Sequence, residues 1–162
     1  MAEQKNRHIA FICSKGDLDM AYPALIMGWA ALGNGIDVTM FFTFWGLNIL
    51  KKNEGGWKSK GLMRKMLNII NRGGAKRLTL SKFNFLGLGM WMMKQLMKDT
   101  RMPTVEEFIQ MSKEMGIKLI PCSTSCGVMG LPPDAFRPEA MGLAGAAFFL
   151  NEARKSKVTL FI

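Results

Sequence analysis

Close pairs of metal-ligating residues are missing from this sequence. It holds one histidine and three cysteines among 162 residues. A zinc site would need Cys13, Cys122, Cys126 and His8 to converge with no tight ligand pair among them, so no metal site is expected. The lone His8 starts an apolar run, which leaves a Cys–His catalytic pair with a single thin candidate. There is no Walker loop and no complete dinucleotide fingerprint, since Gly87-Leu88-Gly89 alone carries little meaning. No apolar run reaches the roughly 18 to 20 residues of a membrane span. Met1 to Arg7 is polar and lacks the apolar region of a signal peptide. An odd cysteine count makes a poor disulfide framework, and a reducing cytoplasm is the expected setting.

Acidic residues are scarce in one region only. The net charge is +10, but residues 51–101 hold 13 Lys or Arg against Glu54 and Asp99, which is +11. The remainder holds 9 basic and 10 acidic residues, which is −1. Basicity therefore belongs to a segment and not to the fold. Such a segment suits a solvated basic face, an acidic partner, an anionic membrane surface or RNA, and its confinement weakens a nucleic-acid reading of the whole chain.

What is present is a large apolar fraction, 49%, enough to exclude a disordered chain. The length suits one domain over residues 1–162, with an insertion at about 51–101. His8 to Cys13 is a continuous apolar run of strand length, as in a strand buried on both faces. Met20 to Leu32 repeats its apolar residues at helical spacing, and Gly33-Asn34-Gly35 stops the helix. Ile36 to Phe44 reads as a second buried strand. Lys51 to Ser59 is a polar, Gly-rich loop, and Gly61 to Ile70 suits a short basic amphipathic helix. Phe83 to Met97 is apolar and Met-rich, suited to irregular or changing surfaces.

Beyond Pro103, Thr104 and Glu107 match a capping box that opens a helix, and Gly116 ends it. Ile117 to Pro121 reads as a short strand and Cys122 as the start of a helical turn. Pro138 to Ser156 reads as one long helix, with Glu139 at its start and Arg154 and Lys155 at its end. Lys157 to Ile162 completes the set as a strand. The alternation predicts an α/β fold with a mostly parallel sheet covered by helices on both faces.

In such a sheet, functional groups gather where strand ends meet helix starts. Cys122 falls at such a junction. A helix beginning there aims free N–H groups and a positive dipole end at the sulfur, which favours a thiolate. That thiolate can attack sulfane sulfur, and the flanking Ser123, Thr124 and Ser125 make an apolar slot for a structural cysteine a poor fit. Cys126 lies one turn on, on the same helix face, as a second reactive thiol or a packing residue. Cys13 closes the first strand and is expected to be structural. Asp17 and Asp19 border the same edge or simply start a helix.

Three stretches carry a resemblance: Lys15-Gly16-Asp17-Leu18-Asp19, Phe41-Phe42-Thr43-Phe44-Trp45-Gly46-Leu47, and Cys122 through Val128-Met129-Gly130. With its Met-rich middle, the chain resembles the DsrE/DsrF-like sulfur-relay family, in the branch of small proteins labelled peroxiredoxin-like or sulfurtransferase. The resemblance implies a flavodoxin-like three-layer sandwich, assembled as a homotrimer or hexamer, that stores sulfur as a cysteine persulfide. It matches the sulfur-carrying cysteine to Cys122 and puts Phe44, Trp45 and Gly46 on the approach to it. Members of that branch often have Met in place of Cys126, so a second-thiol role does not carry over. The Thr-x-x-Cys arrangement and arginine of peroxiredoxins are not evident.

The leading expectation is a sulfur carrier or sulfurtransferase that needs no cofactor. Its donors and acceptors would be rhodanese-like or small sulfur-carrier proteins. Two alternatives remain open at this point: a binding module acting on a membrane or partner through residues 51–101, and a thiol–disulfide redox protein using Cys122 and Cys126.

Overall fold

A computed structural model describes residues 7–52, 59 and 61–162. The polar amino terminus and most of the Lys51 to Ser59 loop lie outside the described residues. The sheet is built from β1 (His8–Cys13), β2 (Asp37–Phe42), β3 (Lys118–Pro121) and β4 (Val158–Phe161). Its order is β3-β2-β1-β4 and every pairing is parallel.

Burial on both faces explains the apolar runs at residues 9–13 of β1 and 40–42 of β2. Side chains alternate across a strand, so Phe11, Cys13, Met40, Phe42 and Leu119 face one core. That core is closed by α1 (Leu18–Gly33) and α5 (Val105–Glu114), which contribute Leu25, Phe108 and Ile109. Ala10, Phe41, Ile120 and Cys122 face the other, smaller core. There α7 (Ala146–Lys155) supplies Phe149, stacked on Phe41 with ring centroids 5.1 Å apart. The chain is thus an α/β sandwich with helices on both sides of a parallel sheet.

The expected capping box forms. Thr104 N–H donates to Glu107 Oε2 at 2.7 Å, and Glu107 N–H donates back to Thr104 Oγ1 at 3.3 Å. Between β2 and α5 run two short helices, α2 (Leu47–Leu50) and α3 (Leu62–Ile70), and then α4 (Leu88–Asp99). Both α3 and α4 leave large apolar side chains exposed, among them Met63, Ile70, Trp91 and Leu96.

The long carboxy-terminal helix is a correction. It starts only at Ala146; residues 138–140 make a turn and residues 141–145 run as a strap beside β3. Met141 N–H donates to Leu119 O at 2.8 Å, and Ala144 N–H donates to Pro121 O at 3.1 Å. The strap satisfies carbonyls that an uncovered β3 edge would present to solvent, and Gly142 and Gly145 disfavour a helix across it. Glu139 consequently sits at no helix start; it pairs with Arg137 at 3.2 Å. The second strand also stops early. Its expected end, Phe44, belongs instead to a 3₁₀ turn over Phe44–Gly46.

Candidate functional site

The carboxyl ends of β1, β2 and β3 lie side by side, and each is followed by a segment of the expected motif. Cys122 follows β3 directly and takes the N-cap position of the seven-residue α6 (Ser123–Met129). Its own N–H donates to Phe42 O at 2.8 Å, and its carbonyl accepts Cys126 N–H at 3.0 Å. The strap returns alongside: Ser123 N–H donates to Ala144 O at 2.9 Å. Cys122 is therefore clamped between β2, its own helix and the strap, and is only 5% exposed.

That burial by itself raises a thiol's pKa, because it penalises the charged form. Hydrogen bonding overturns it. Hydrogen bonding from Ser125 N–H, from the Ser125–Thr43 hydroxyl pair and from Thr124 N–H brings the Cys122 thiol below its ordinary value. Thr43 Oγ1 and Ser125 Oγ are bonded to each other at 2.8 Å. One of the two hydroxyls can donate within the pair while the other is left to donate to sulfur. Thr43 is a site residue that the sequence reading passed over. Its signal is a hydroxyl placed directly after an apolar strand.

Cys126 behaves oppositely. It is 2% exposed and packs into the larger core, on the other side of the sheet from the cluster that holds Cys122. Burial, and then the nearby Cys122, push its thiol up to about 12, against the partial opposition of Lys51. Cys13 lies in the same larger core, where burial likewise pushes it up to about 12. Lys51 is itself only 4% exposed. Burial brings its ammonium down to about 8, and it donates to Asn71 O at 3.3 Å.

The other motif residues converge on this edge. Thr43 N–H donates to Cys13 O and Gly46 N–H to Ser14 O, both at 3.0 Å. Two glycines permit the contact between these loops. A Cβ on Gly46 would stand 2.0 Å from Cys13 O, and one on Gly16 would stand 2.3 Å from Trp45 O. Phe44, at φ +44°, holds a left-handed backbone that is costly for an aromatic residue. It leaves its ring 55% exposed beside Trp45 at 47%. Asp17 lines a cavity next to Trp45. Burial, with Asp19 nearby, raises its carboxyl, and Lys15 opposes the shift. Asp19 is instead engaged with the Ser81 N–H and hydroxyl. His8 lies at the opposite, amino edge, bonded to Ser156 Oγ at 2.6 Å and Thr39 Oγ1 at 2.9 Å. It cannot serve Cys122 as a base. Among the described residues no group of three His, Cys, Asp or Glu could hold a metal ion.

Comparison with known proteins agrees with this architecture. Residues 5–161 match the model of the DsrE/DsrF/DrsH-like family. The protein YrkE of Bacillus subtilis (strain 168) is 36% identical over 162 residues, covering 100% of both chains. The sulfur carrier protein DsrE2 of Allochromatium vinosum is 34% identical over 169 residues, covering 99% of both. The ychN protein of Escherichia coli superposes with a TM-score of 0.55 at 6% identity, over 96% of this chain and 99% of that one, which speaks for the fold alone. With a family match from end to end and a shared parallel sheet, this chain belongs to the DsrE/DsrF/DrsH-like family.

Proposed function

We propose that this protein is a sulfur carrier that holds a persulfide on Cys122 and relays sulfane sulfur between thiols. The observation that carries the reading is the polar setting of the Cys122 sulfur, the Ser125 and Thr124 amides with the bonded Thr43–Ser125 hydroxyl pair, which outweighs its burial and favours the thiolate. Kinship with a protein named as a sulfur carrier supports it. In the first step the Cys122 thiolate attacks the outer sulfur of R–S–SH. A sulfur–sulfur bond forms at Cys122, the donor's sulfur–sulfur bond breaks, and R–S⁻ leaves. In the second, an acceptor thiolate attacks the outer sulfur of Cys122–S–SH, and the Cys122 thiolate leaves. Neither step needs a net oxidant. The amide and hydroxyl donors that favour the thiolate would also hold a persulfide's terminal sulfur.

Cys126, protonated at neutral pH, would not compete for the first sulfur. Intact mass spectrometry after incubation with polysulfide tests this. A gain of about 32 Da, reversed by reductant, is expected on wild type and on Cys126→Ala and absent on Cys122→Ser. Loading of the Cys122→Ser protein would refute the assignment. Thiol–disulfide redox through Cys122 and Cys126 predicts instead the loss of two titratable thiols in mild oxidant.

A second reading is favoured by the exposed apolar side chains of α3 and of the turn before α4, including Leu62, Met63, Phe83, Phe85 and Leu86. They alternate with Arg64, Lys65 and Lys82. No helix among the described residues is long and apolar enough to cross a membrane, but this pattern suits an anionic bilayer surface or contact with further copies in a trimer or hexamer. Light scattering and sedimentation with anionic and neutral vesicles separate the two. A monomer that ignores anionic vesicles would eliminate both.

A further inference from the structure

Beside the Cys122 edge lies a cavity of about 490 Å³. Its walls include Lys15, Asp17, Trp45, Asn48, Arg72 and Arg77. Three cations against one carboxylate give it an excess positive charge. Lys15 comes from the loop after β1 and Arg72 and Arg77 from one basic stretch far along the chain, so folding brings the two sources of charge to one cavity. The volume is that of a small-molecule site. Guanidinium groups at a polar wall are suited to bidentate recognition of a carboxylate.

The position of the cavity specifies how long its ligand must be. Lys15 follows β1, Trp45 follows β2 and Cys122 follows β3, and these strands are neighbours in the order β3-β2-β1. At roughly 4.8 Å per strand, the first loop and Cys122 stand about 10 Å apart. Phe44 and Trp45, both well exposed, follow β2, the strand between the two. Three peptide residues, fully extended, span about 10 Å. An inorganic oxyanion in the cavity would be too short to bring sulfur to Cys122.

We propose that this cavity is the anchoring site of the sulfur donor, and that the donor is a small peptidic thiol persulfide of about three residues. Its terminal carboxylate sits among Arg72, Arg77 and Lys15, and its outer sulfur reaches Cys122 across Phe44 and Trp45. The transfer is the first step given above: the donor's sulfur–sulfur bond breaks, one forms on Cys122, and the donor leaves as a thiolate. The assignment rests on the persulfide reading for its chemistry but not for its binding.

Two measurements keep these separate. The first is calorimetric titration of the Cys122→Ser protein with S-methylglutathione, which has the carboxylates and no transferable sulfur. Saturable binding is expected, weakened about tenfold or more by Arg72→Gln with Arg77→Gln, and also weakened by Lys15→Gln. All three side chains are exposed, so the substitutions leave the cores intact. The second compares loading of the wild type from glutathione persulfide and from its diethyl ester. The acid is expected to load with a KM about tenfold lower, and the paired arginine substitution should erase that difference. Absence of S-methylglutathione binding overturns the proposal, as does equal KM for acid and ester, or a preference that survives the arginine substitutions. Binding that depends on the arginines, without any loading of Cys122, upholds the anion site and refutes the persulfide reading instead.

Discussion

Replacing Thr43 with valine tests whether hydroxyl donation makes Cys122 reactive. The substitution keeps the side chain's shape and removes the Oγ1 that bonds Ser125 Oγ at 2.8 Å and helps hold the Cys122 thiol low. A hydrogen bond to a charged group contributes about 1.5 kcal/mol or more, which corresponds to about tenfold less thiolate at a pH below the titration midpoint. The lost thiolate is also less basic than the one that replaces it. With a Brønsted slope of about 0.45, a tenfold change in basicity raises intrinsic nucleophilicity about threefold. The net expectation is a rate of sulfur loading, or of iodoacetamide alkylation, about threefold lower than wild type in acid and about threefold higher on the alkaline plateau. The two pH profiles must cross. Ser125→Ala should behave in the same way, because Ser125 contributes both a hydroxyl and an amide and loses only the former. A profile lowered by one constant factor at every pH would mean that Thr43 governs access instead of ionisation. A profile unchanged in both single variants and in the Thr43→Val, Ser125→Ala pair would remove the hydroxyls from the account altogether.

Three further outcomes follow from the geometry. Cys126→Ala should keep the loading rate within about twofold, read by mass spectrometry, because a thiol near 12 takes no part in the first attack at neutral pH. Gly46→Ala should destabilise the fold by about 2–3 kcal/mol, since its Cβ would meet Cys13 O at 2.0 Å and the obstacle is backbone. Calorimetry should show a Tm roughly 5–10 °C lower. Glu152 has its carboxyl pulled down to about 2 by Lys155 and then Lys118, whose ammonium groups lie 2.7 and 2.9 Å away. A depressed carboxyl contributes stability above its unfolded value of 4.5 and loses it as pH falls toward 2. Thermal melts over that window should therefore show a steeper acid loss for wild type than for Glu152→Gln.

Much of the scaffold was legible because local and global demands agree. β1 and β2 carry apolar residues on both faces, at 9–13 and at 38 and 40–42, since both faces are covered, and no surface strand in a half-solvated sheet would read that way. Thr104 and Glu107 announced their capping box because that device is closed within one turn of helix. Residues 138–145 misled because an apolar, alanine-bearing pattern is compatible with helix. Its real conformation is set by the open edge of β3, which lies outside the segment itself. Glu139 shows the same limit: as a helix-start residue it looked electrostatically apt, and Arg137 claimed it in the folded chain.

At the candidate site the division is sharper. Chain order was enough to place a cysteine at a strand-to-helix junction in a parallel α/β fold, with glycine-bearing loops after the first two strands. Both conclusions depend on neighbours in the chain. Packing is what sets the two thiols apart, holding Cys122 below its ordinary value and pushing Cys126 up to about 12. Cys122 and Cys126 share one short helix, yet one meets Thr43 from 79 residues away and the other points into the larger core. It also decided that Arg72 and Arg77, members of a basic run, turn toward Lys15 to line one cavity. Donors around a sulfur and cations around a void are relations in space, and chain spacing does not encode them until packing brings the strand ends together.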